Sequence, residues 1–148
     1  MPRFDLAGRA YVMGILNVTP DSFSDGGRFF DSKKAVRHSL AMVRHGADII
    51  DVGGESTRPG SRGISVSEEL RRAIPVIKAL AKRSRVTISI DTMKSEVADE
   101  AVRAGATIIN DVSGLKYDNK MASVAAKHDV SLIIMHMRGT PRGMQLNP

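Results

Sequence analysis

A pattern that occurs twice in this chain restricts its fold more than its composition does. Gly46-Ala-Asp-Ile-Ile-Asp-Val-Gly53 and Gly105-Ala-Thr-Ile-Ile-Asn-Asp-Val-Ser-Gly114 share a helix-ending glycine, a small residue, an Ile-Ile core and a polar terminus. Each reads as a short buried strand entered from a helix and closed by groups that a core cannot use. The alternation continues along the chain, with apolar runs of strand length at 10–16, 47–52, 86–90, 106–110 and 130–135. Helical spacing is expected from Ser32 as N-cap to a stop at Gly46, from Ser65 to about Arg83, from Ser95 to Ala104, and around 120–127. Ser65-Val-Ser-Glu68 fits a capping box, and Pro75 is expected to kink the helix that follows.

Five strands alternating with helices imply parallel βαβ units, whose sheet is covered on both faces or closes on itself. An echo on strands two and four suits a (β/α)8 TIM barrel, in which alternate strands share interior layers. A flavodoxin-like open sheet of five strands is the rival, and both folds bind ligands at the carboxyl ends of their strands. The expected fold is therefore α/β, a partial barrel of about five parallel strands with flanking helices, forming one domain over residues 1–148.

Composition excludes more than it identifies. With 42% hydrophobic and 26% charged residues over 148 positions, the chain can bury one real core. No apolar run approaches the ~20 residues of a membrane helix, and the N-terminus lacks a signal-type apolar segment. A cytoplasmic location is expected. The absence of cysteine removes disulfides, thiolate metal sites and cysteine nucleophiles. The charge of +6 comes from residues such as Lys33, Lys34, Arg37, Arg71, Arg72 and Lys82, scattered along helices. That suits solvated helix faces rather than nucleic acid, and four Phe with two Tyr offer little base stacking.

The strand ends carry the chemistry: Asn17, the group Glu55-Ser56-Thr57-Arg58, Asp91, Asn110-Asp111 and His136. All would project from one face of the sheet. They include no nucleophilic triad and no spaced histidine cluster, and they suit hydrogen bonding to a polar heterocycle. Asp91 could accept two hydrogen bonds from adjacent ring N–H groups, and Asn110 can both donate and accept beside it. Gly53 and Gly54 remove side chains where a ligand could approach backbone N–H groups. Glu55 and Asp111 read slightly better as loop anchors than as ligand contacts. His38, His45 and His128 read as surface residues.

These elements resemble, in order, the N-terminal half of the dihydropteroate synthase family. Gly14-Ile-Leu-Asn-Val-Thr-Pro-Asp-Ser-Phe-Ser-Asp-Gly-Gly27 is similar to its first motif and Asp51-Val-Gly-Gly-Glu-Ser-Thr-Arg-Pro-Gly60 to its second. Ile90-Asp-Thr92, Ile109-Asn-Asp-Val-Ser-Gly114 and Met135-His-Met-Arg-Gly-Thr-Pro-Arg-Gly-Met-Gln145 resemble later ones. The resemblance implies a barrel transferase that joins 6-hydroxymethyl-7,8-dihydropterin pyrophosphate to p-aminobenzoate in folate biosynthesis. It releases pyrophosphate and is the target of sulfonamides. It further implies that Asp91, Asn110, Val112 and Met135 bind the pterin, that Thr57 lies near pyrophosphate, and that Asn17 helps hold Mg2+. Phe23, Arg58 and Pro59, on loops 19–27 and 56–63, would contribute to the p-aminobenzoate site.

A homo-oligomer at full length is expected, with small-molecule substrates as the resemblance implies and, from charge pattern and apolar run length, no nucleic-acid or membrane partner. No residue is implied as a covalent catalyst. A complete barrel takes ~250 residues, and the family's motifs after strands six, seven and eight have no counterpart here. The 148-residue chain is accordingly expected to be a fragment, inactive alone, with strands one and five as open edges. A pterin-binding methyltransferase domain and a non-catalytic half-barrel that acts as a binding or assembly module are the alternatives.

Overall fold

The computed structural model describes residues 8–19, 32–56 and 63–135. Five strands, β1 (Met13–Asn17), β2 (Ile49–Gly53), β3 (Thr87–Asp91), β4 (Ile108–Asp111) and β5 (Ser131–Ile134), form one sheet. Four helices connect or follow them: α1 (Ser32–Arg44), α2 (Val66–Arg83), α3 (Ser95–Ala104) and α4 (Met121–His128). All neighbouring strands are parallel, and their spatial order is the chain order β1-β2-β3-β4-β5. A flavodoxin-like sheet would place β2 outside β1. Sequential order is that of a barrel segment, and right-handed crossovers then put every helix on one face.

Register and the two-residue strand period sort the side chains. One row, Leu16, Val52, Ile90, Ile109 and Leu132, faces the helices. Its first four members are buried with Val36, Val76, Ile77, Leu80, Val97, Ala98 and Met121, and Leu132 packs against their margin. The alternate face carries Ile15, Asp51, Ser89, Ile108 and Ser131 in one row and Asn17, Gly53, Asp91, Asn110 and Ile133 in the row nearest the strand ends. β1 and β5 are the edges among the described residues, and Ile15 and Ile134 stand 65% and 57% exposed there. No helix of the described residues is long and apolar enough to cross a membrane.

β1 to β4 each end one residue further along the chain than hydrophobicity alone indicates, whereas β5 ends at Ile134, one residue short of the expected run. Asn17, Gly53, Asp91 and Asp111 are the last residues of their strands, not the first residues after them. Polar side chains remain in the ladder because backbone pairing continues where the apolar run has ended. Ser32 is the first residue of α1 rather than its cap. At α2 the capping box forms only by half: Ser65 Oγ accepts from Glu68 N at 3.3 Å, while the Glu68 carboxylate turns to Arg71 and Arg72. α2 continues through Pro75 to Arg83.

The echoed glycines do stop their helices, at φ +101° for Gly46 and +123° for Gly105. Their surroundings differ. A Cβ at Gly46 meets nothing within 4 Å, whereas one at Gly105 would lie 2.7 Å from Ala81 Cβ on α2. Gly46→Ala should therefore cost only the left-handed backbone penalty, about 1 kcal/mol. Gly105→Ala should lose roughly 1–3 kcal/mol more through overpacking. Urea midpoints measured side by side check this, and equal losses would contradict the α2–α3 packing.

Candidate functional site

The polar row at the strand ends defines the site. β2 ends in Gly53, and a Cβ added there would stand 3.3 Å from Asp91 Oδ2 and 3.8 Å from Asn17 Oδ1. Gly53 thus leaves a bare backbone floor between the side chains of β1 and β3. Gly54 serves another purpose. A Cβ on it would come within 2.9 Å of Glu69 Cγ and 3.1 Å of Glu69 O, so the chain after β2 lies directly against α2. Arg72, expected on a solvated face, secures that contact by donating to Gly54 O at 3.0 Å.

Asp91 is the focus of the electrostatics. Burial raises its pKa from 3.8 to about 7, assisted by the negative charges of Asp51, Glu69, Asp111 and Glu55. Its Oδ1 is buried without a hydrogen-bond partner among the described residues. Asn110, beside Asp91 in the register, donates from Nδ2 to Asp51 Oδ2 at 2.9 Å. Asp51 is 3% exposed, and burial raises its pKa, with the Ser89 and Asn110 side chains acting in the opposite sense. The Ser89 hydroxyl stands outside hydrogen-bond geometry, so the Asn110 bond is the contact that defines the position of Asp51.

A buried ion cluster supports the row from below the loop. Lys94, just before α3, bonds Glu55 after β2 and Glu69 Oε2 in α2, the latter at 2.5 Å. Burial lowers the Lys94 pKa, but its bonds to Glu55 and Glu69 outweigh burial and leave it raised. Glu55 is thereby held in an ion pair, as the anchor reading expects. Asp111 is an anchor as well: it is fully buried, with its two oxygens accepting Ser113 N at 2.8 Å and Leu115 N at 2.9 Å.

The remaining expected residues are placed as follows. Asn17 is exposed at the end of β1, Val112 is half-buried just after β4, and Met135 is 41% exposed just after β5. Phe23, Thr57, Arg58, Pro59 and His136 lie outside the described residues. His38 and His45 are exposed, whereas His128 Nε2 lies 2.7 Å from Asp99 Oδ1. No group of three or more His, Cys, Asp or Glu able to hold a metal occurs among the described residues. An amide oxygen such as Asn17 Oδ1 nonetheless suits Mg2+, an ion that keeps several waters and leans on substrate phosphates. A separate cleft of about 640 Å3, lined by Ile64, Ser65, Lys94, Ser95, Tyr117 and Asp118 among others, opens between the starts of α2 and α3.

Residues inside the sheet are the ones that motif reading overlooks. Asp51 and Ser89 occupy strand positions where apolar residues are the rule, and that breach of alternation is the available signal. Glu69 and Lys94 leave none, because their pairing joins residues 25 positions apart.

An open polar face at the carboxyl ends of sequentially ordered parallel strands defines a partial (β/α)8 barrel, a fold whose ligands bind at that end. Residues 13–148 match the family described as pterin binding enzyme, and the chain belongs to that family. It is 58% identical over 130 residues to the dihydropteroate synthase of Bacillus subtilis, covering 88% of this chain and 46% of that protein. Among solved structures, the Yersinia pestis dihydropteroate synthase in complex with a sulfonamide drug is 48% identical with a TM-score of 0.87, covering 98% of this chain and 52% of the other. A Clostridium difficile dihydropteroate synthase, in the presence of pteroic acid, is 56% identical with a TM-score of 0.88, covering 92% and 52%. The chain spans about half the length of these relatives.

Two stability outcomes follow from the charges. A carboxyl whose pKa rises from 3.8 to about 7 binds its proton more tightly in the folded chain. Asp91 therefore favours folding most at low pH, and its contribution falls as pH climbs through that window. Asp91→Asn should be more stable than the unmodified protein at pH 8, by at most about 4 kcal/mol, and indistinguishable near pH 4. Chemical denaturation across that range reads the difference. Lys94→Met should lose about 3–5 kcal/mol, because Glu69 is left as a buried carboxylate without a counter-charge. An unchanged denaturation midpoint would show that the cluster contributes nothing.

Proposed function

We propose that this chain supplies the pterin-binding half of a dihydropteroate synthase, condensing 6-hydroxymethyl-7,8-dihydropterin pyrophosphate with p-aminobenzoate. The observation that carries the reading is Asp91: a carboxyl in the polar strand-end row, surrounded by the charges of Asp51, Glu69, Asp111 and Glu55. Such a group accepts hydrogen bonds strongly once a ligand brings N–H donors to it. In the condensation the C–O bond to pyrophosphate breaks and a C–N bond to the arylamine forms, with loss of one proton from nitrogen. Positive charge develops at the pterin methylene as the bond to oxygen breaks. A site of net negative potential favours that charge electrostatically, which is the term enzymes use most.

The same potential repels the pyrophosphate. Asn17 would hold Mg2+, which when bound neutralises the leaving anion, and Arg58 and Thr57 would lie beside it. Asn110 would bind the pterin edge next to Asp91, with Val112 and Met135 as apolar walls. Phe23 and Pro59, with Arg58, would contribute to the p-aminobenzoate side. The relatives' names and the sulfonamide and pteroic acid complexes support this assignment by similarity. A homo-oligomer in the cytoplasm is the form in which we expect the enzyme to act.

Dihydropteroate formation with Mg2+ tests the proposal, on this chain and on the chain extended to its relatives' length. Activity is expected in the extended form, and Asp91→Ala should reduce its kcat/KM by 100-fold or more. Activity in neither form would overturn the proposal. Pterin affinity should also fall about tenfold per pH unit below about 7, as Asp91 takes up its proton. A flat profile from pH 5 to 8 would remove Asp91 from the pterin contact.

A further inference from the structure

Asn110 differs from Asp91 in one respect that matters for recognition. A carboxylate offers acceptors at both ends, whereas a primary amide offers an acceptor at one end and donors at the other. Which end a ligand meets depends on what holds the other. Asp51 is on β2 and Asn110 on β4, 59 residues apart, yet Asn110 Nδ2 donates to Asp51 Oδ2 at 2.9 Å across the intervening β3. Asp51 sits one row deeper than Asn110, and Asp51 is buried while Asn110 remains partly open. An ionised carboxylate can only accept, so it selects the NH2 end of the amide.

We infer that Asp51 is a positioning residue for the pterin: it locks the Asn110 amide so that Oδ1 is a fixed acceptor beside the oxygens of Asp91. The inference rests on the pterin reading above. The lock makes the row selective for a ring edge that carries consecutive donors, and it penalises a ring edge that places an acceptor opposite Oδ1. An amide at position 51 would not serve, because two amides pair in either sense and leave the polarity of Asn110 unset.

The test uses the chain extended to its relatives' length, with 7,8-dihydropterin as the calorimetric probe. Asp51→Asn should weaken dihydropterin binding about tenfold, the scale of one mismatched buried polar contact. It should raise KM for the pterin substrate while KM for p-aminobenzoate stays within about twofold of the unmodified value. Asn110→Ala should also weaken binding, and at pH 8.5, where Asp91 is ionised with or without the Asp51 charge, Asp51→Asn should then add nothing, because its effect passes through the missing amide. Losses that multiply, or an Asp51→Asn variant with unchanged affinity, would overturn the inference. If Asp51→Asn does not fold, the unmodified protein still decides: the Asn110 side-chain NH2 should show one proton protected from solvent exchange. Two rapidly exchanging protons would overturn the lock. A protected proton in a protein that binds no dihydropterin would uphold the lock and sink the pterin reading.

Discussion

Parallel pairing in unbroken register is the constraint on which the rest depends. Five four- or five-residue strands bring Asn17, Gly53, Asp91 and Asn110 into one row, although these residues are spread over more than ninety positions. Because side chains alternate, a slip of one residue in β3 would turn Asp91 into the apolar helix-facing layer and expose Ile90 instead. The core formed by Leu16, Val52, Ile90 and Ile109 therefore specifies the site as well as stabilising the sheet. Burial on one face sets the positions of the polar atoms on the other.

That polar face is acidic, and its acidity is supported rather than neutralised. Lys94, the buried cation among the described residues, binds Glu55 and Glu69 and is therefore already committed when Asp91 is considered. Two carboxylates with one ammonium leave negative charge in the cluster, and Asp51 and Asp111 add to the field that raises Asp91. A neutral ring with N–H donors, or a ring that gains positive charge during reaction, relieves that field. The ion cluster also ties the chain after β2 to α2 and to the start of α3, so one lysine joins the loop structure to the electrostatics.

Much of this architecture was legible in the sequence. The Gly-Ala-x-Ile-Ile echo identified two strands and their preceding helix stops, and the helix-spaced apolar residues identified α2 and α3 to within a residue. Hydrophobicity stops one residue short of the ends of β1 to β4 because it marks burial, whereas a strand continues while its backbone pairs. Asp91 and Asn110 announced themselves as polar residues at the ends of apolar runs. Asp51 did not, although it lies in the same run as Ile49 and Ile50, because its importance comes from a bond to a strand 59 residues away. Arg72 departs from expectation for a similar reason: helical periodicity puts it among solvated cations, while tertiary packing gives it the Gly54 carbonyl.

We propose that the row formed by Gly53, Asp91 and Asn110 is the pterin-facing surface. Backbone amide chemical shifts during titration of the extended chain with 7,8-dihydropterin test it most directly. The largest changes are expected at Gly53, Asp91 and Asn110, with little change at Ser65, Ser95 and Tyr117 in the cleft between α2 and α3. Changes centred on that cleft, with the strand-end row silent, would contradict that placement.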